Sequence, residues 1–536
     1  MKIIKSLLLS TFFATLLFSC GSGAEILSTP IANIDSTPLK VSELTENEKH
    51  TWGHLDLVKD TVPGMSVDKA YSEIIKDKKG KTVIVAVIDS GIDIDHEDLN
   101  NVLWTNKKEI AGNGIDDDKN GYIDDIHGWN FLGDAYDEQL EFVRILANGN
   151  KDYPRYDEAQ AEYEKEYQQK LGGKTRYEQI YNALIDADKD VAKHLNKEAY
   201  TQEEVNAITT EDSTLLKSVA VIKQIYGFGI GSITESKEQI NAGVEYFNDG
   251  LNYNLNKDLK GRKTGDDPDD MTNKFYGNGN VKPIKKSESH GTHVAGIIAA
   301  ERNNGKGVNG VANNVRIMSV RAVPNGDEYD KDVALAIRYA VDNGAKIINT
   351  SFGKYYSPHS DWVRDAIAYA GENDVLIVNA AGNEGIDLDK KNVFPNDAIG
   401  TGTEVSNTFI TIGALAPKYG SGMVAGFSNY GKINVDALAP GASVYSTTPE
   451  NEYGTKGGTS MAAPAAAGVA ALIRSYYPKL SAAQVKQILM DSGLPISIEV
   501  VVGGDASDVR PFNGLIKSGK MINAYNALIM ASQLSK

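Results

Sequence analysis

An α/β fold on a mostly parallel sheet is what this sequence predicts, and three observations predict it. Short runs of apolar, largely β-branched residues recur: "TVIVAVIDSG" (82–91), "VRIMSVRAV" (315–323), "AKIINTSFG" (345–353), "VLIVNAAGN" (375–383) and "FITIGAL" (409–415). Such runs read as strands buried on both faces. Helix-like segments such as "DKDVALAIRYAVDNG" (330–344) and "DWVRDAIAYAGEN" (361–373) fall between them, the alternation that covers both faces of a parallel sheet. Finally, 536 residues with 41% hydrophobic and 24% charged content suit a soluble globular chain with a large core. The net charge of -17 counts against nucleic acid as a partner, because phosphate binding needs concentrated Lys and Arg.

The elements follow in chain order. "MKIIKSLLLSTFFATLLFSC" carries Lys2 and Lys5, an apolar run and Ser19 before Cys20, the pattern of a secretory signal over 1–19. "LFSC" resembles the lipobox of bacterial lipoproteins, which implies lipidation of Cys20. The expected location is extracytoplasmic, at a bacterial outer membrane or cell surface, with membrane contact through that anchor only. Cys20 is the one cysteine, so an intrachain disulfide is impossible. No other stretch offers roughly 18 uncharged apolar residues for a membrane span.

Residues 20–63 are polar and weakly periodic, and are expected to be a tether. "GMSVDKAYSEIIKD" (64–77) has the spacing of a short helix leading into the first strand. "NGIDDDKNGYIDD" (113–125) sets Asp116, Asp118, Asn120 and Asp124 at positions one, three, five and nine of a calcium-loop pattern, with Gly121 at the sharp turn. His127 stands where that pattern has a bidentate Glu, so the expectation is a looser structural calcium site. Between 131 and 285 the texture becomes charged and helix-favouring, and Thr201 and Glu204 are spaced as a capping box. "GDDPDD" (265–270) reads as a solvated loop.

Three motifs end a predicted strand or open a predicted helix: "VIDSGID" (87–93), "SHGTHVAG" (289–296) and "GGTSMAAP" (457–464). A serine hydroxyl needs an adjacent base to become a nucleophile, and the base needs a carboxylate to fix its tautomer. Asp89, His290 and Ser460 supply those three types. Singly each says little, since a Ser before a helix is usually a cap and a strand-end Asp usually binds loop amides.

Together the motifs resemble those of the subtilisin-like serine proteases, in the same order along the chain. The resemblance implies a three-layer fold and a serine endopeptidase that works through an acyl-enzyme, needs no catalytic cofactor and acts on protein or peptide substrates. It assigns His290 as base and His293 as a packed neighbour. "VNAAGNEG" (378–385) resembles the segment whose Asn donates to the oxyanion, so Asn383 takes that role beside the Ser460 backbone N–H. "AKIINTSFG" resembles the strand whose edge pairs with bound peptide, placing Ser351, Phe352 and Gly353 along the substrate. Ala380 and Ala381 resemble one wall of the pocket for the side chain preceding the cut, with Val393 at its floor.

Excising 131–285 leaves roughly 300 residues, one large α/β domain. Residues 64–130 and 286–536 are therefore expected to form the catalytic domain and 131–285 a helical insertion: a lid, an arm, a dimer contact or decoration. Relatives commonly carry a folded pro-region, and the short stretch between Cys20 and the domain is not expected to form one of the usual size. The rivals to a protease are an inactive peptide-binding scaffold and acyl transfer to an amine. The small residues of "GGTSMAAPAAAGVAALI" (457–473) predict a helix through a packed centre, with Pro464 in its first turn and Ser460 at its positive end. Many relatives have His after that Pro, and here it is Ala465.

Overall fold

The computed structural model describes residues 29–31, 34, 38, 40, 42–229 and 231–536. The signal segment 1–19 and Cys20 lie outside the described residues. Among the described residues thirteen strands are formed: β1 (Val83–Asp89), β2 (Gly128–Asn130), β3 (Val315–Arg321), β4 (Ile347–Thr350), β5 (Leu376–Ala380), β6 (Phe409–Leu415), β7 (Ala437–Pro440), β8 (Val444–Thr448), β9 (Glu452–Lys456), β10 (Leu494–Pro495), β11 (Glu499–Val502), β12 (Asp505–Pro511) and β13 (Lys520–Met521). Nine of them make one sheet in the order β10-β13-β7-β6-β5-β4-β1-β3-β2. Every pairing in it is parallel except β10 with β13.

The apolar runs are continuous because both faces are covered. Successive residues of β1 point to opposite sides, so Val85 and Val87 enter one core and Ala86 and Ile88 the other. The first core holds the helices His290–Ala299, Thr459–Tyr476, Ala482–Asp491 and Ala524–Leu534; the second holds Asp330–Asp342 and Ser360–Glu372. This is the expected three-layer arrangement. Thr459–Tyr476 packs against β4, β5, β6 and β7 and against the helix His290–Ala299. Its residues from Met461 to Ser475 are all buried, so small side chains let neighbouring backbones close in. A Cβ on Gly468 would sit 2.5 Å from Val311.

Two expectations are corrected here. The stretch up to 63 is not a tether throughout. Thr45 and Glu48 form a capping box on the helix Glu46–Thr51. Trp52, Leu57 and Val62 are buried in a third core, and the Trp52 indole donates to the Ser443 carbonyl at 3.0 Å. Pro464, for its part, is in the second turn, because the helix already begins at Thr459.

The insertion leaves the sheet at its edge strand β2. It contains a short helix, α1 (Glu141–Ala147), the 40-residue helix α2 (Tyr156–Leu195), and the helices α3 (Ser213–Tyr226) and α4 (Ile233–Asp249). α2, α3 and α4 pack on one another around Leu184, Val191, Leu215 and Ile222, a core separate from those of the sheet. Among the described residues no helix is long and apolar enough to cross a membrane.

Candidate active site

The motif residues meet at the carboxyl ends of the central strands, where an open parallel sheet forms its crevice. Asp89 is the last residue of β1 and only 1% exposed. His290 opens its helix and turns Nδ1 toward Asp89, 2.8 Å from Oδ1 and 3.0 Å from Oδ2. An Nδ1–H donated to that carboxylate leaves Nε2 as the free acceptor, the tautomer a base requires. Gly291 allows the approach: a Cβ there would lie 2.3 Å from the Gly91 carbonyl and 3.1 Å from the Asp89 Cβ. His293 is fully buried, with Nε2 3.1 Å from the carbonyls of Val444 and Gly454. Burial pushes its pKa down to about 3, so it stays neutral and structural.

Ser460 is the second residue of its helix and half-buried. Its hydroxyl donates to the Ser351 carbonyl at 3.0 Å, and no hydrogen bond joins it to His290 in this resting arrangement. The Ser351 hydroxyl in turn donates to the Ser460 carbonyl at 2.8 Å. Pro464 explains that bond. Proline has no N–H to give the carbonyl four residues back, and that carbonyl belongs to Ser460; Ser351 supplies the missing donor. Sequence reasoning placed Ser351 along the substrate, whereas its 2% exposure and these two bonds point it inward.

Asn383 is exposed and follows Gly382, whose φ of +97° and clash distance of 2.4 Å from Asn429 Nδ2 exclude a side chain. The Asn383 Oδ1 accepts from the Thr459 N–H at 2.8 Å and the Thr459 hydroxyl at 3.1 Å. With the oxygen engaged, Nδ2 is left as a donor beside the start of the Ser460 helix. Thr459 also receives the Gly382 N–H at 2.9 Å, which locks the two segments together. Neither Thr459 contact was visible in the sequence, since both partners lie more than 70 positions upstream.

A cleft of about 240 Å³ opens on Ser460 and Asn383. Phe352, Gly353, Ala380 and Val393 line it, together with Val323, Gly326, Asp327, Glu328 and Glu384. Ala381 is 1% exposed and faces a smaller cavity behind that wall.

In the acidic loop, Glu109, Asp116 and Asp118 present carboxylate oxygens within 4.8 Å of one another. Asn120 instead donates to Asp125 at 3.0 Å. The Asp124 carboxylate caps the N–H groups of Gly112 and Gly114 at 2.8 and 3.0 Å. Glu109 lies seven residues ahead of the spaced pattern, so the spacing alone does not bring it into this cluster. Burial, chiefly, raises the Asp125 carboxyl to about 6.

A parallel sheet between two helix layers, with an Asp–His pair, an Asn and a helix-opening Ser at its carboxyl edge, is the layout of a subtilisin-like α/β protein. The chain belongs to the subtilase family, whose model matches residues 80–504. It is 37% identical over 246 residues to the thermophilic serine proteinase of Bacillus sp. (strain AK1), covering 46% of this chain and 53% of that one. With subtilisin DY of Bacillus licheniformis the identity is 38% over 201 residues, 37% of this chain and 68% of the relative. The match to thermitase of Thermoactinomyces vulgaris is 36% over 192 residues, 36% of this chain and 63% of that one. A solved protease structure from Pseudoalteromonas arctica aligns at a TM-score of 0.36 and 31% identity, over 45% of this chain and 70% of that one. The alignments thus span about half to two thirds of these relatives.

Proposed function

We propose that the protein is a serine endopeptidase that cleaves peptide bonds through an acyl-enzyme on Ser460. The single observation that carries this reading is the Asp89–His290 pair, oriented so that Nε2 is the free base. The Ser460 hydroxyl turns from the Ser351 carbonyl toward His290 as substrate enters, a rearrangement in keeping with the loose catalytic bonds of unliganded enzymes. His290 takes its proton, the oxygen attacks the scissile carbonyl, and Asp89 stabilises the imidazolium. The developing oxyanion receives the Asn383 amide and the Ser460 backbone N–H. His290 then protonates the leaving amine, and water repeats the sequence on the ester. An extended peptide lies along Phe352 and Gly353, with the side chain preceding the cut against Ala380 and Val393.

The test is a fluorophosphonate probe applied to the wild type and Ser460→Ala. Labelling and peptide cleavage are expected in the first and absent in the second; an unlabelled wild type would overturn the reading. Purely hydrolytic products, with no ligated ones, are expected from a peptide mixture.

The three carboxylates of Glu109, Asp116 and Asp118 suit a hard cation such as calcium, the chemistry of an all-oxygen donor set. Such an ion would hold the 109–125 loop and take no part in catalysis. A chelator is expected to lower the melting temperature; an unchanged value counts against the site. Cys20 is proposed as the lipid anchor to an extracytoplasmic membrane. Replacing it should release the protein into the soluble fraction, and continued retention would sink the idea.

A further inference from the structure

Beneath one wall of the cleft, the insertion and the sheet domain share a buried ionic joint. The Lys354 ammonium meets Glu141 Oε2 at 2.6 Å, the Glu328 carbonyl at 2.7 Å and Asp330 Oδ1 at 2.9 Å. The first two are hydrogen bonds and the third an ion pair. Arg144 donates to the carbonyls of Gln139, Asp327 and Glu328 and to Glu141 Oε2. Four carboxylates, Glu141, Asp327, Glu328 and Asp330, therefore share two cations. Asp327 has the Glu141 N–H at 2.8 Å, and Asp330 has Ser357 and the His359 N–H.

Glu328 is the one left over. It is 3% exposed and its carboxylate makes no ion pair; the charge of Lys354, which is engaged by Glu141 and Asp330, offsets its burial only in part. Burial, chiefly, raises its pKa to about 8. A buried carboxylate without a cation is costly and resolves the cost by holding a proton. Yet this one lines the cleft that opens on Ser460, and the other charged residues lining it, Asp327 and Glu384, are acidic too. Among the described residues no Lys, Arg or His lines that cleft.

We propose that Glu328 is a specificity-determining residue, taking the Lys or Arg side chain of a substrate at a position before the cleaved bond. The inference rests on the protease reading given above. The side chain enters the cleft beside Phe352 and Gly326, the Glu328 carboxyl releases its proton to solvent, and the substrate cation completes a joint that two resident cations leave short. A bidentate guanidinium would satisfy both oxygens.

The experiment profiles the full-length protein with a peptide library varied one position at a time on both sides of the cut. In the wild type, Lys or Arg at one position before the cut should raise kcat/KM over Leu and Gln by a factor on the order of 30. In Glu328→Gln that ratio should fall to near unity, and Glu328→Lys should favour Asp or Glu there. Fluorophosphonate labelling of each variant certifies its fold. If the wild type is labelled by the probe but has no preference for a cation, or if Glu328→Gln keeps the preference, this inference is overturned and the protease reading stands. If the wild type is not labelled, both fall.

Discussion

Ser351 holds two ends of the catalytic segment at once, accepting the Ser460 hydroxyl on its carbonyl and capping the Ser460 carbonyl with its own hydroxyl. The triad motifs were legible because each is a short local string with a fixed chemistry. The Ser351 pairing was not, because it joins residues 109 positions apart and is required only by a proline in the second turn. Replacing Ser351 by Ala leaves a buried carbonyl without a donor, which costs about 1–3 kcal/mol. A fall in melting temperature is expected, with kcat reduced more than KM raised, because the change loosens the nucleophile and not the peptide-binding edge. Unaltered stability and kinetics would show that the carbonyl finds another donor.

At the scale of elements, the strands were readable from their unbroken apolar runs, and the insertion from its change of texture. The residues before 63 were not, since helices of four to six residues owe their existence to Trp52, Leu57 and Val62 finding a core and not to periodicity. The calcium-loop spacing named Asp116 and Asp118 but could not see Glu109, which the fold swings in from outside the pattern. The same limit hid the joint between α1 and the cleft wall. Burial opposes the charge of Glu141, but Arg144 and Lys354 hold its carboxyl down at about 2. A carboxyl depressed on folding contributes stability that is complete above its unfolded value of 4.5 and is lost as pH falls toward 2. Glu141→Gln should cost up to about 3–5 kcal/mol at neutral pH, because it removes the one carboxylate that Arg144 and Lys354 both pair with in the buried joint. The gap in melting temperature between wild type and variant should then narrow as pH drops from 5 to about 3. A gap independent of pH would mean that the loss comes from packing and not from charge.

For the whole molecule, the question is how far the insertion shares in the stability of the sheet domain. Its proximal part is fused to that domain: Phe142, Val143, Ala159 and Leu255 share a core with Tyr356. Arg155 donates to the Tyr355 carbonyl at 2.5 Å and stacks 4.1 Å over the Tyr356 ring. Its distal part, from Leu184 to Ile233, has a core of its own with no residue from the sheet layers. Between the two, α2 and α4 run side by side, with Gly173 close to Phe247 and Gly243 close to Tyr177. Stability contributions from separate cores add nearly independently. A chain lacking residues 178–242, with α2 rejoined to α4 by a short Gly-rich loop, should therefore keep the melting transition of the sheet domain. It should also keep fluorophosphonate labelling and its kcat/KM on short peptides. Cleavage of folded proteins tests the distal bundle itself, because an arm that engages large substrates can be lost without cost to a short peptide. Failure of the shortened chain to fold, judged by loss of the cooperative transition, would mean that the distal bundle steadies the joint at Glu141 and Lys354 from a distance, which the separation of the cores does not predict.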